Sequence, residues 1–166
     1  MTTTGEVCHD FFSVSTASTQ NKKIIDNLCD ILSKNKQKYP IQYCILASSL
    51  RRESKNTSNF NELVDLLEIV LRNNSTVNSD NRWDNIAQSF YITEILLNIA
   101  FEKVTPARQN DLKRKYEDIL AEFIQEKYDL KTSDWKALYQ TTELCNFLVG
   151  TGGIVLLYFL AYKLCQ

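Results

Sequence analysis

The chain has 166 residues and 44% hydrophobic content, enough for one domain with a real core, and carries 19 basic against 20 acidic residues for a formal net charge of -1. So even a balance gives no electrostatic footprint for nucleic acid, which is excluded as an expected partner. Four glycines and two prolines are too few for a many-stranded sandwich or barrel, so the expected class is all-α.

Residues 1–19 are rich in Thr and Ser, with neither the basic start nor the apolar run of a secretory signal. They read as a flexible tail, and His9 within it as a solvated residue. From Gln20 the pattern changes, because Ile24, Ile25, Leu28, Ile31 and Leu32 recur at helical spacing opposite Lys22, Lys23, Asp26, Asp30 and Lys34. This amphipathic helix must end before Pro40, since the residue ahead of a proline resists the helical conformation. A second helix is expected over Gln42 to Glu53, with Ile45, Leu46 and Leu50 as its apolar residues. Phe60, Leu63, Val64, Leu67 and Leu71 form the stripe of a third.

A polar loop over Asn73 to Asn81 leads into Trp83 to Val104, the stretch around which the rest is organised. Apolar side chains there occur on all sides of the helical wheel, which marks a buried central helix. Thr105 and Pro106 then restart the chain as cap and first helical residue. Leu112, Tyr116, Ile119, Leu120, Phe123 and Ile124 make the next helix one-sided. Thr132, Ser133 and Asp134 cap a short helix carrying Trp135, Leu138 and Tyr139. From Leu144 to Tyr162 no residue is charged, a run close to the roughly 20 residues that span hydrocarbon. With its aromatic and Lys163 ending, the segment 144–166 is expected to be a carboxyl-terminal membrane anchor behind a helical bundle over 20–143.

Chemistry-bearing motifs are sparse. Cys8, Cys29, Cys44, Cys145 and Cys165 are odd in number and scattered, which suits a reducing compartment rather than a disulfide scaffold or a zinc site. With neither a Gly-rich phosphate loop nor a nucleophile elbow, no catalytic residue, metal or cofactor is expected. A tail-anchored fusion coiled coil would need sustained heptads ahead of the anchor, and the loops at 73–81 and 104–106 break any such run.

The order of elements resembles the Bcl-2 family of apoptosis regulators. NKKIIDNLCDILSKNKQKY (21–39) is similar to the family's amino-terminal homology helix, and LASSLRRES (46–54) to its death-motif helix. RWDNIAQSF (82–90) resembles the Asn-Trp-Gly-Arg region that opens the family's central helix. SDWKALY (133–139) resembles its Gly-Trp-Asp region. There are departures: Asp84 stands at the glycine, and Asn85 at the arginine that would pair with a ligand's aspartate. Arg82 offers a cation only with a different geometry. In the death-motif helix Lys55 replaces the aspartate and Glu53 an apolar anchor.

The resemblance implies a Bcl-2-like bundle, without catalysis, that binds an amphipathic death-motif helix in a surface groove. Residue by residue, it puts Leu63, Leu67 and Leu71 on one wall of that groove, and Asn85, Ala87, Gln88 and Ile92 at the start of the central helix; the alternatives are simple core packing for Leu63 and Leu67, since one stripe can serve both, and a solvent-bonded helix start for Asn85. Trp83 and Trp135 are expected to be structural. The implied activity is inhibition of apoptosis by sequestering pro-apoptotic helices or Bax/Bak-like proteins, with homo- or hetero-dimers among the expected assemblies. The implied place is the mitochondrial outer membrane or the endoplasmic reticulum, with the bundle facing the cytosol. The alternative is an effector of the Bax and Bak kind, which permeabilises the outer mitochondrial membrane.

Overall fold

Short polar side chains and prolines set most of the helix starts. In a computed structural model that describes residues 2–73 and 81–140, every regular element is a helix. Helix α1 (Thr4–Phe11) opens on a capping box: the Thr3 hydroxyl accepts from the Glu6 amide at 3.2 Å, and the Glu6 carboxylate from the Thr3 amide at 2.8 Å. Ser18 caps α2 (Thr19–Lys38) by accepting from the Asn21 amide at 3.1 Å, and α2 stops ahead of Pro40. That proline occupies the first turn of α3 (Pro40–Ser54), where its missing N–H costs nothing. Asn59 caps α4 (Phe60–Asn73) through the Glu62 amide at 2.9 Å. Asn81 caps α5 (Arg82–Phe101) through the Trp83 amide at 3.0 Å. Helix α6 (Pro106–Tyr128) ends at Asp129, whose φ of 44° is left-handed, a conformation Asp tolerates better than most residues. A seventh helix, α7, covers 132–140.

Helix α5 packs against α2, α3, α4 and α6, while α1 lies on α6 and α2. The core gathers Leu28, Leu50, Leu63, Leu67, Phe90, Leu96, Tyr116 and Trp135, all fully enclosed. Each such side chain contributes about 1.5–3 kcal/mol by leaving water. Tyr116 satisfies its buried hydroxyl on the Leu63 carbonyl at 2.8 Å, joining α6 to α4. Burial pushes its phenol well above the ordinary tyrosine range.

The amino-terminal segment differs from the flexible tail expected over 1–19. Val7 and Cys8 are fully buried, Phe11 stacks on Phe90 with ring centroids 4.5 Å apart, and Thr2 and Thr4 are bonded into the bundle. Thr4 Oγ1 donates to Gln125 Oε1 at 3.0 Å and accepts from Trp135 Nε1 at 3.2 Å. Thr2 Oγ1 donates to Asn21 Oδ1 at 3.2 Å. The Thr and Ser residues that suggested a tail are caps and tethers, and the apolar stripe they flank is too short for periodicity to reveal. His9 is correspondingly not a tail residue: its Nδ1 lies 2.9 Å from the Glu117 carboxylate on α6.

The central helix is also not enclosed throughout. Ile86 to Phe90 are buried on every side, but from Glu94 onward an arc opens, with Glu94 and Asn98 exposed and Ile95 and Ile99 half-buried. Among the described residues no helix is long and apolar enough to cross a membrane. The expected anchor over 144–166, and most of the loop expected over 73–81, lie outside the described residues.

Candidate partner-binding cleft

The half-open arc of α5 is bordered by the last turns of α3. Together they line a cleft of about 420 Å³, with Arg51 and Ser54 of α3 and Lys55 just past its end, Ile95, Asn98 and Ile99 of α5 and Glu102 just past its end, closed at one end by Lys103. Spacing builds both sides. Arg51 and Lys55 stand one turn apart, as do Ile95 and Ile99, so each pair shares a helix face. Lys103 holds the corner: its ammonium donates to the Ser54 carbonyl and, at 2.8 Å, to the Thr57 carbonyl. The Ser54 carbonyl also accepts from the Thr57 amide and hydroxyl, and a cation there complements the negative end of the α3 dipole.

Upstream of the cleft, α2 and α3 close over α5 through aromatic contacts. Tyr43 and Tyr91 have ring centroids 5.4 Å apart, and the Lys36 ammonium sits 4.0 Å above the Tyr91 ring. Burial pushes the Tyr43 hydroxyl up to about 12, with Asp84 adding to the shift. Tyr91 is raised by burial and then by Glu94, while Arg51 opposes the rise. Arg51 and Glu94 therefore share one electrostatic neighbourhood at the head of the cleft. The outer face of α3 adds exposed aliphatic surface, since Ile41 and Ile45, one turn apart, are 70% and 61% exposed.

The residues that the resemblance places in a groove lie elsewhere. Leu63, Leu67, Leu71, Ala87, Gln88 and Ile92 are all buried, each 3% exposed or less, and only Asn85 reaches partly to solvent. The α4 stripe packs inward on α5 and α6 as part of the core. Leu71 alone borders a second opening, a small one of about 60 Å³ between α4 and α6. Trp135 is fully buried and its ring centroid lies 5.4 Å from that of half-buried Trp83, where α7 meets the start of α5. Beside them Arg82 pairs with Asp134 at 2.6 Å and its guanidinium lies 5.2 Å from the Trp83 ring centroid.

Sequence reasoning did not single out Arg51, Lys55, Ile95 and Ile99, which line this cleft. The signal was present in the central helix, where Glu94, Asn98 and Glu102 recur every fourth position and mark one wet arc on an otherwise apolar rod. Among the described residues no group of three or more His, Cys, Asp or Glu side chains is placed to hold a metal ion. Cys8 is buried beside Glu117, and both burial and that carboxylate push its thiol far above the ordinary range, which disfavours the reactive thiolate. What the cleft offers is an aliphatic floor, a cationic rim and one carboxylate: a surface for binding a side-chain stripe. No protein-family model, curated protein or solved structure matches the chain.

Proposed function

We propose that the protein is a non-catalytic, membrane-anchored regulator of apoptosis of the Bcl-2 kind, which inhibits cell death by sequestering death-motif helices of pro-apoptotic partners. The observation that carries this reading is the meeting of two segments whose sequences resemble family motifs. Trp83 and Trp135 stack, and Arg82 binds Asp134, across 52 residues of chain. An apolar helix wrapped by one-sided helices, with an open cleft along part of its length, is also the arrangement that helix-in-groove recognition uses. The uncharged run 144–162 would hold the bundle to a mitochondrial or reticular membrane from the cytosolic side.

The order found in α1 favours a second reading on one point. If α1 takes the amino-terminal place, the death-motif place moves from α3 to α2. There Ile25, Leu28, the small Cys29 and Asp30 come in succession, supplying the aspartate that α3 replaces with Lys55. Ile25 and Leu28 are buried while Cys29 and Asp30 are exposed, so α2 can act as a ligand only after leaving α5. That release is what an effector of the Bax and Bak kind requires.

Isolated mitochondria separate the two. The full chain, inserted in their outer membrane, is expected to suppress release of an intermembrane-space protein triggered by a death-motif peptide. Release caused by the chain itself, and abolished by Leu28→Glu in a variant that still folds, would instead establish the effector.

A further inference from the structure

We propose that the partner helix is recognised by a carboxylate that meets Arg51 and Lys55 at the carboxyl end of α3, and not by a cation at the start of α5. The proposal rests on the cleft reading above and names its partner chemistry: an amphipathic helix with an aliphatic i, i+4 pair and an Asp or Glu on the adjoining flank.

The start of α5 is poorly equipped for a ligand carboxylate. Asn85 is neutral, Asp84 repels, and Arg82 already pairs with Asp134 at 2.6 Å. The cleft has the opposite character: its lining holds three cations against one carboxylate, Glu102, with Glu94 beyond the lining at its head. Lys103 spends its donors on the Ser54 and Thr57 carbonyls. Arg51 and Lys55 are exposed, one turn apart, and make no ion pair among the described residues. They stand beside Ile95 and Ile99, which lie one turn apart on the floor. An aliphatic floor recessed between two helices, with charge along one edge, complements an amphipathic helix better than a flat anionic bilayer, which would meet the rim and leave the floor empty.

The test uses the full chain in detergent micelles and two labelled amphipathic peptides with Leu at helical spacing. The peptides are identical except that Asp and Glu in one are Asn and Gln in the other. Wild type is expected to prefer the acidic peptide, and Arg51→Gln and Lys55→Gln each to weaken that peptide about fivefold at low salt while leaving the neutral one within about twofold. Arg52→Gln, on the same helix but outside the cleft, is expected to change neither, and the preference should fade with added salt. If the double variant keeps the wild-type preference, the carboxylate is read elsewhere and the proposal fails while the cleft reading stands. If neither these peptides nor death-motif peptides bind, the cleft reading fails and takes the proposal with it. If phosphatidylserine vesicles bind through Arg51 and Lys55 and displace the acidic peptide, the cations serve a lipid surface and the proposal is overturned.

Discussion

Leu67 separates a core wall from a groove wall. The side chain is fully buried on α4, among the residues that pack α4 against α5 and α6. Leu67→Ala removes its branched end and leaves a cavity that rigid helices close only in part, at about 2–5 kcal/mol. Against a total stability of about 5–15 kcal/mol that is a large fraction. At about 3 °C per kcal/mol for a chain of this length, the unfolding midpoint should fall by about 6–15 °C. Ile95→Ala, at a half-buried position on the cleft floor, should cost about 1 kcal/mol or less. Thermal unfolding of the full chain in mild detergent, followed by circular dichroism, measures both. A wild-type midpoint for Leu67→Ala, alongside weakened peptide binding, would refute the reasoning: Leu67 would then face an open groove as the resemblance implies.

Further outcomes follow from other contacts. Tyr116→Phe should destabilise by about 1 kcal/mol in the same assay, because a buried hydrogen bond to the Leu63 carbonyl is lost while the ring still fills its space. Asp134 is held below the ordinary carboxylate range by the Lys131 amide and then by Arg82. Its contribution is therefore present above the unfolded-state aspartate range and lost as pH falls through the lowered value, and Asp134→Asn should flatten that acid limb of a stability-versus-pH curve. A maleimide should label exposed Cys29 and Cys44 in the native protein and Cys8 only on unfolding, as read by peptide mass mapping. Rapid native labelling of Cys8 would mean that α1 is not docked.

Much of the fold was legible because long helices write their periodicity plainly. The Ile24–Leu32, Phe60–Leu71 and Leu112–Ile124 stripes all reappear as buried faces, and Pro40 and Pro106 sit where helices begin. Helix α1 was illegible because eight residues give two turns, and its threonines act through tertiary bonds to Asn21, Gln125 and Trp135 that no local pattern encodes. The cleft was missed for a different reason. A stripe such as Leu63, Leu67 and Leu71 states that a face is apolar, not whether a neighbouring helix or a ligand covers it, and here α5 and α6 do. Conversely, Ile95 and Ile99 look like core on a helical wheel but stay half-buried, lining a cleft together with Arg51 and Ser54.

The claim that this bundle holds a helix in the α3–α5 cleft is tested most directly by calorimetric titration of the full chain in detergent with death-motif peptides, beside Ile95→Asp and Ile99→Asp. The account predicts saturable one-to-one binding by wild type and its loss in both variants, since an unpaired carboxylate on the floor must be desolvated, with unfolding midpoints close to wild type. Binding that survives both substitutions, or no binding by any peptide, would contradict it.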